Sequence, residues 1–200
     1  DQLCSEAVQY RFKSVCVNSS WVPYVAKKLQ GTRVQVCSVI GCPLGAMTSR
    51  SKAFETREAI EHGASEIDMV MAIGKLKTGD LKYVEEDILA VRRATRSNTI
   101  LKVIIETSML TQEEKVLACQ LAKRAGANFV KTSTGFGGGG ATVEDVLLMK
   151  NTVGKGVQVK ASGGIRDFKT ALAMLEAGAT RIGTGSGVAL VSGSSGGTGY

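Results

Sequence analysis

Two lysines stand where the sequence predicts the ends of buried strands. Residues 129–135 read Phe-Val-Lys-Thr-Ser-Thr-Gly, so that Lys131 follows two apolar residues and precedes a run of hydroxyl side chains. Residues 157–164 repeat the pattern, with Lys160 after Val-Gln-Val and before Ala-Ser-Gly-Gly. An ammonium group in such a place must be paired, solvated or shifted in pKa toward its neutral form. The repetition therefore predicts one site that contains both lysines.

Asp68 and Lys102 place further charge within apolar strands. Asp68 follows Ile67 and precedes Met-Val, and Lys102 interrupts the run of Leu, Val and Ile over residues 100–105. Taken alone, any one of these lysines reads as an exposed strand end whose ammonium reaches water. Three lysines and an aspartate, all in apolar strands, favour a common site instead.

Crowded lysines favour nucleophilic chemistry by an amine. Because a neighbouring positive charge destabilises an ammonium group, we expect one of the three lysines to have a lowered pKa and to be a nucleophile at neutral pH. A neutral amine attacks a carbonyl to give a carbinolamine and then a Schiff base. The protonated imine accepts electrons when a neighbouring carbon–carbon bond is made or broken.

Three glycine-rich segments offer backbone N–H groups to a phosphate. They are residues 135–140, Gly163 with Gly164, and residues 183–187. Each is weak evidence alone, since glycine loops are common. Two of them directly follow the last two predicted strands, which is the usual phosphate position in a (β/α)8 barrel. With Arg166 and the lysines nearby, a phosphorylated substrate is expected.

Strand and helix patterns alternate along the chain and predict a parallel sheet. Gly-Ala follows a helix and precedes a strand at residues 63–64, 126–127 and 178–179, as expected for tight returns after helix C-termini. Seven strands are predicted, and the third of them runs from Glu66 to Ile73. A doubly wound open sheet is the alternative, but it lacks a GxGxxG turn followed by an acidic residue. The fold class we predict is α/β, a TIM (β/α)8-type barrel with about seven strands encoded in this chain.

Composition limits the remaining possibilities. With 200 residues, 44% of them hydrophobic, the chain is long enough for one domain with a full core, predicted over residues 1–191, and a flexible Gly/Ser-rich tail over 192–200. The formal charge of +7 comes from scattered lysines and arginines, which favour a small anionic substrate over nucleic acid. No apolar run reaches the roughly 20 residues of a membrane helix, and no signal peptide opens the chain, so no membrane association and a cytoplasmic location are expected.

Cysteine and histidine usage argues against a metal. The five cysteines show neither a CxxC pair nor zinc spacing, and Cys16 reads more readily as a small core residue than as a catalytic one. His62 is the only histidine and precedes Gly63 at a helix end, where it complements the helix dipole. We therefore expect no metal, no cofactor and no histidine-based triad.

At these residues the sequence resembles the 2-deoxyribose-5-phosphate aldolases, a family of class I, metal-independent aldolases. The matching segments follow in order along nearly the whole chain: 14–18, 39–45, 66–70, 101–107, 129–136, 159–166 and 181–184. The resemblance implies a TIM barrel, and reversible cleavage of 2-deoxy-D-ribose 5-phosphate to D-glyceraldehyde 3-phosphate and acetaldehyde. It also implies a homo-oligomer, a dimer or a tetramer.

The resemblance assigns roles residue by residue. Lys131 is expected to form the Schiff base, Lys160 to lower its pKa and exchange protons, Asp68 to be the general acid and base, and Lys102 to support Asp68. The predicted substrate-binding residues are Cys16, Thr132, Thr134, Gly135, Gly163, Gly164, Thr184 and Ser186.

The sequence departs from the family pattern in three places. The family's first strand has no counterpart in these residues, Gly185 stands where serine is common, and Ala72 stands where asparagine is common. Tyr200 is expected either to cover the site or to belong to an uninvolved tail. The alternative functions are a truncated barrel that binds sugar phosphates without turnover, or another phosphate-binding barrel lyase or isomerase. Turnover of a ketose phosphate but not of deoxyribose phosphate would favour the last.

Overall fold

The computed structural model describes residues 1–193, and within them seven parallel strands form one sheet in chain order. The strands are β1 (Ser14–Val17), β2 (Gln35–Ile40), β3 (Glu66–Val70), β4 (Ile100–Ile104), β5 (Phe129–Lys131), β6 (Gln158–Ser162) and β7 (Arg181–Gly183). Each strand pairs only with its neighbours in sequence. A doubly wound sheet reverses its strand order at a switch point, whereas a barrel keeps it sequential. The predicted barrel type, with about seven strands, is confirmed.

The helices of the described residues connect these strands. They are α1 (Gln2–Gln9), α2 (Val22–Lys28), α3 (Ser49–Glu61), α4 (Ile73–Lys77), α5 (Leu81–Ala94), α6 (Gln112–Arg124), α7 (Val143–Val153), α8 (Phe168–Glu176) and α9 (Gly187–Val191). Thr111 and Glu114 form the capping box that their spacing in the sequence favours at the start of α6, with each side chain bonded to the other residue's backbone N–H. None of these helices is both long and apolar enough to span a membrane.

The predicted Gly-Ala returns have the expected geometry. Gly63, Gly126 and Gly178 have φ values of 115°, 80° and 109°, in the region that L side chains rarely adopt. The alanine after each glycine donates its N–H to a carbonyl five residues earlier, as in the Schellman motif. These turns lead each helix directly back into the next strand.

The sheet is curled, so that β7 approaches β1. Arg181 of β7 donates to Ser14 Oγ of β1 at 3.4 Å and to Glu66 of β3 at 2.8 Å. β1 and β7 nevertheless stand at the two ends of the strand order, without pairing to each other. The charged strand residues lie on the concave side, where the curl brings them together.

The predicted C-terminal end of β3 was wrong. The predicted strand from Glu66 to Ile73 ends at Val70, and α4 begins at Ile73. Residues 69–73 are continuously apolar, and Ile73 and Leu76 are buried at helical spacing. Such a short apolar run does not distinguish a strand from a buried helix start.

A buried ion pair fixes the end of β3 to the helices outside it. Lys52 of α3 donates to Asp87 Oδ2 of α5 at 2.5 Å and to the Val70 carbonyl at 2.9 Å, and both side chains are fully buried. Sequence reasoning did not predict this pair. Because Val70 ends the strand that carries Asp68, the pair helps to hold that strand in place.

The predicted tail lies largely outside the described residues. Ser192 and Gly193 form a turn after α9, and residues 194–200, including Tyr200, are not among those that the structure describes.

Candidate active site

Three lysine side chains converge on the carboxylate of Asp68. Asp68 Oδ2 accepts from Lys131 Nζ at 3.0 Å and from Lys160 Nζ at 2.6 Å. Asp68 Oδ1 accepts from Lys102 Nζ at 2.7 Å. All four side chains are 5% exposed or less, so solvent does little to screen these charges. The structure thus brings together the four residues to which the sequence pointed for catalysis.

Strand register explains this convergence. Asp68 of β3 is level with Lys102 of β4, and Lys131 of β5 is level with Lys160 of β6. Ile104, two residues beyond Lys102, is the register partner of Lys131. Because side chains two apart in a strand lie on one face, all four point to the same side of the sheet. Gly183 leaves room for the Lys160 side chain, since a Cβ at residue 183 would lie 3.0 Å from Lys160 Cε.

A second carboxylate, Glu66, also contacts Lys102. Lys102 Nζ is 2.7 Å from Glu66 Oε2, and Arg181 donates to both Glu66 oxygens at 2.8 and 3.2 Å. Sequence reasoning missed Glu66 and Arg181. The available signal was that Glu66 lies two residues before Asp68 and therefore on the same face of β3.

The charges of the cluster keep both carboxylates ionised. Burial favours a raised pKa for Asp68, but Lys160, Lys131 and Lys102 outweigh it and hold the pKa of this carboxyl well below its ordinary value. Burial likewise opposes ionisation of Glu66, whose pKa is lowered by the bonds from Arg181 and the charge of Lys102. Burial favours loss of the Lys102 proton, but nearby Cys37, Asp68 and Glu66 raise the pKa of this ammonium. Lys102 is therefore a fixed cation.

Two thiols stand beside the carboxylate. Cys16 of β1 is the register partner of Cys37 of β2, and their Sγ atoms lie 4.0 and 3.2 Å from the two oxygens of Asp68. A hydrogen bond from Cys37 lowers the pKa of the Cys16 thiol to about 7, while burial raises the pKa of Cys37. Cys16, predicted to line the pocket, is exposed beside the lysines.

The geometry of Cys16, Cys37 and Asp68 allows one cation among the described residues, because their ligand atoms lie within 4.8 Å of one another. Three ammonium groups already contact Asp68. A further positive charge at this place is electrostatically unfavourable, so the donor set does not fit a metal ion.

Hydrogen bonds join the loops that follow β5 and β6. Thr132 Oγ1 donates to the Ser162 carbonyl at 2.9 Å and accepts from the Ser162 N–H at 3.0 Å. Ser162 Oγ donates to the Ser133 carbonyl at 2.7 Å. Thr132 was predicted to bind substrate, but its hydroxyl proton is donated to the protein. Its position favours a role in shaping the loops beside Lys131.

Thr134 and Glu106 shape the loop that carries Gly135. Thr134 donates its hydroxyl to Glu106, and Glu106 also accepts from the Thr134 N–H at 3.2 Å. Glu106 is 1% exposed and has a φ of 56°, an uncommon value for a residue with a side chain. Sequence reasoning included Glu106 in a motif but gave it no role. Gly135, with a φ of 93°, follows at an exposed turn.

The remaining predicted phosphate residues lie in the loops after β6 and β7. Gly163 and Gly164 have φ values of 85° and 75°, which glycine adopts without strain. Thr184 donates its hydroxyl to the Ile165 carbonyl at 2.6 Å and accepts from the Ser186 N–H at 2.9 Å. The loops after β6 and β7 are therefore in direct contact.

Comparison with known proteins identifies the group to which these features belong. The model of the DeoC/LacD family of aldolases matches residues 1–193. A curated deoxyribose-phosphate aldolase from Brevibacillus brevis is 59% identical over 201 residues, covering 100% of this chain and 90% of that protein.

Solved structures show the same similarity. The structure described as a putative deoxyribose-phosphate aldolase from Coccidioides immitis is 44% identical, with a TM-score of 0.92, over 94% of this chain and 76% of that one. A deoxyribose phosphate aldolase from Aeropyrum pernix, described as having a unique tetrameric structure, is 31% identical. Its TM-score is 0.88 over 96% of this chain and 81% of that one.

Proposed function

The chain belongs to the DeoC/LacD family of aldolases, and on this premise we propose that it cleaves 2-deoxy-D-ribose 5-phosphate reversibly to D-glyceraldehyde 3-phosphate and acetaldehyde. The observation that carries the proposal is the convergence of Lys131, Lys160 and Lys102 on Asp68. This arrangement supplies an amine, a buried carboxylate and fixed positive charge within one water-poor site.

Lys131 is the nucleophile in this mechanism. Its neutral amine attacks the C1 aldehyde of the open-chain sugar, and loss of water gives a protonated Schiff base. A base removes the proton of the C3 hydroxyl, the C2–C3 bond breaks, and its electron pair moves into the iminium to form an enamine. D-Glyceraldehyde 3-phosphate leaves, C2 is protonated, and hydrolysis releases acetaldehyde and the free lysine.

Asp68 and Lys160 carry the protons between these steps. Both Lys131 and Lys160 contact the same oxygen of Asp68, so a proton leaving Lys131 has an acceptor within hydrogen-bond distance. Lys160 adds a positive charge beside Lys131, which favours the neutral amine. Lys102 keeps the other oxygen of Asp68 in place and supports its ionised form.

Backbone N–H groups hold the phosphate in this proposal. The hydroxyl protons of Thr132, Thr134 and Thr184 are all donated to protein acceptors. We therefore assign the phosphate contacts to the N–H groups of the loops at Gly135, Gly163 and Gly164, with the threonines shaping those loops. The Ser186 N–H is donated to Thr184 Oγ1, so Ser186 is assigned to the phosphate through its hydroxyl. Gly185, where the family commonly has serine, leaves the backbone to make these contacts.

A reductive trap tests the proposal. Borohydride added with acetaldehyde is expected to leave an ethyl group on Lys131, which peptide mass spectrometry locates. In the Lys131→Leu variant, leucine makes β5 entirely apolar and removes the amine. The peptide that contains residue 131 is expected to remain unmodified, and the variant is expected not to cleave deoxyribose 5-phosphate. Folded wild-type protein with an unmodified Lys131 contradicts the mechanism, and turnover of a ketose phosphate alone contradicts the substrate.

We also infer a cytoplasmic homo-oligomer with no nucleic-acid or membrane partner. The description of the Aeropyrum pernix relative as tetrameric supports the oligomer. Light scattering at several protein concentrations measures the assembly, and a monomer at all of them contradicts it.

A further inference from the structure

Glu66 and Arg181 form a buried ion pair that contacts Lys102, the lysine that also contacts Asp68. Glu66 accepts from both guanidinium nitrogens of Arg181 and lies 2.7 Å from Lys102 Nζ. Lys102 in turn lies 2.7 Å from Asp68, which holds Lys131 and Lys160. The Glu66 side chain is 1% exposed and that of Arg181 12%. An unbroken series of charge contacts therefore runs from Arg181 to the nucleophile.

This series contains more positive than negative charges. Its cations are Lys102, Lys131, Lys160 and Arg181, and its anions are Asp68 and Glu66. Removal of Glu66 increases the positive excess by one, and removal of Arg181 decreases it by one. Because these groups are buried, water and salt screen such a change weakly.

We propose that Glu66 and Arg181 are positioning residues that set the pH range over which Lys131 is a neutral amine. Glu66 holds Lys102 against Asp68 and limits the positive charge of the site, while Arg181 offsets part of the Glu66 charge. Neither residue is assigned contact with the substrate. The inference rests on the proposed function, because it takes Lys131 as the nucleophile.

A purely mechanical role is the alternative. Arg181 also donates to Ser14 of β1 and lies over the Phe129 ring at 5.4 Å, so it braces the curled sheet from inside. If Glu66 and Arg181 act only as braces, loss of either one loosens the site. Substitution of either residue then lowers stability and turnover. Loss of the negative charge of Glu66 and loss of the positive charge of Arg181 do not, in that case, move the pH profile in opposite directions.

Other titratable groups also face Lys131, and the test must leave them unchanged. Asp68 of β3 contacts Lys131 directly, and Lys102 of β4 and Lys160 of β6 share that carboxylate with it. Cys16 of β1 and Cys42 of the loop after β2 interact electrostatically with Lys131, while Cys37 of β2 contacts Asp68, and Glu106 after β4 interacts with Cys42. Each is retained in the variants below, so a displaced profile is attributed to the substituted charge.

The test compares Glu66→Gln with Arg181→Gln by measuring kcat/KM for deoxyribose 5-phosphate against pH. The profile of Glu66→Gln is expected to move to lower pH, and that of Arg181→Gln to higher pH. Each displacement is expected to be roughly one pH unit, the effect of one unit charge at a distance of about 10–15 Å with an effective dielectric of about 20.

Matched surface variants provide the control. Glu86 and Arg93 of α5 form an exposed pair at 3.9 Å, with side chains 57% and 70% exposed. Glu86→Gln and Arg93→Gln change the net charge of the protein by the same amounts and are expected to leave the profile in place. The charge-conserving variants Glu66→Asp and Arg181→Lys are expected to have lower turnover, but their pH profiles are expected to stay in place.

Displacement of both profiles in one direction, or of neither in folded and active variants, overturns the inference. If Glu66→Gln does not fold, Arg181→Gln alone tests the proposal. A profile moved to higher pH supports the proposal, and any other result overturns it. The rate of trapping of acetaldehyde by borohydride against pH gives an independent reading at Lys131. Wild-type protein that forms no adduct overturns the proposed function, whereas an adduct with undisplaced variants overturns this inference alone.

Discussion

At the scale of single residues, the site is a balance of charges around one carboxylate. Lys102 contacts both Asp68 and Glu66 and is fully buried, so it has little freedom to move and is suited to fixed support. Lys131 and Lys160 instead share one oxygen of Asp68. This sharing lets a proton pass between the two amines by way of the carboxylate, which is what a Schiff-base cycle requires of its neighbours.

Lys160→Leu tests the electrostatic part of this balance. Removal of the Lys160 charge is expected to raise the pKa of Lys131 and to displace the kcat/KM profile to higher pH, with a loss of activity of roughly two or more orders of magnitude from the lost proton transfer. The measurement is cleavage of deoxyribose 5-phosphate across the pH range.

Lys155→Leu is the matched control for that variant. Lys155 is exposed in the turn before β6, three residues before the strand begins at Gln158, and the substitution removes the same charge as Lys160→Leu. Its profile is expected to equal that of the wild type. A normal profile and normal activity in Lys160→Leu would remove Lys160 from the mechanism.

The sequence was most informative about residues that are anomalous where they stand. Lys131, Lys160, Asp68 and Lys102 were predicted because a charge within an apolar strand is costly unless it is paired. Glu66 and Arg181 are the first residues of their strands, where a charged residue is common, so the sequence pattern did not identify them as site residues. Their burial results from the curl of the sheet, which no local pattern expresses.

At the scale of elements, the loops after β5 and β6 behave as one unit. Besides the Thr132–Ser162 hydrogen bonds, the Ala141 N–H donates to the Gly163 carbonyl at 3.0 Å. Gly140 packs directly against this carbonyl, since a Cβ at residue 140 would lie 2.3 Å from Gly163 oxygen and 2.6 Å from its carbon. Both loops belong to the proposed phosphate site.

Gly140→Ala is therefore expected to force two backbones apart. We expect a loss of roughly 1–3 kcal/mol in the free energy of unfolding, as for other overpacked sites, and a raised KM for deoxyribose 5-phosphate. Urea unfolding and steady-state kinetics measure the two effects.

Gly74→Ala is the control for this substitution. Gly74 lies in α4, and a Cβ there meets no atom within 4 Å. Its free energy of unfolding is expected to stay the same or to rise by up to about 1 kcal/mol, because alanine favours a helix over glycine. An unaltered KM in Gly140→Ala would contradict the contribution of these loops to phosphate binding.

Helix starts and helix ends were predictable because capping is local. Thr111, Thr142 and Asp167 each accept the backbone N–H three residues later, and threonine and aspartate before a helical pattern are the residue types that favour an N-cap. The end of β3 was not predictable. It depends on the burial of Ile73 and Leu76 in α4, a tertiary contact that a continuous apolar run does not reveal.

At the scale of the whole molecule, the buried charges couple stability to pH. The folded-state pKa of Asp68 is held well below the ordinary value of 3.8, so its contribution to stability is fully present above that value. This contribution is lost as the pH falls from 3.8 toward the folded-state pKa, because the unfolded chain then binds a proton that the folded chain resists. Glu66 acts in the same direction.

The free energy of unfolding is therefore expected to fall steeply as the pH drops below about 4. Asp68→Asn is expected to be less stable at neutral pH, because it leaves three ammonium groups without their carboxylate, and to show a shallower fall. Asp1→Asn, at a carboxylate whose side chain is 71% exposed, is the control and should keep the wild-type slope. Urea unfolding at several pH values measures the slopes, and an equal slope in Asp68→Asn contradicts the coupling.

The sequence by itself determined the alternation of strands and helices, their caps and returns, and the identity of the four charged residues in the site. These features depend on local periodicity, on turn chemistry and on the cost of an isolated charge. Only the tertiary structure decided that Lys131 and Lys160 share one oxygen of Asp68, that Glu66 and Arg181 complete the series of charges, and that three predicted threonines donate their hydroxyls to the protein. Those facts depend on strand register and on the curl of the sheet, which set distances between residues far apart in the chain.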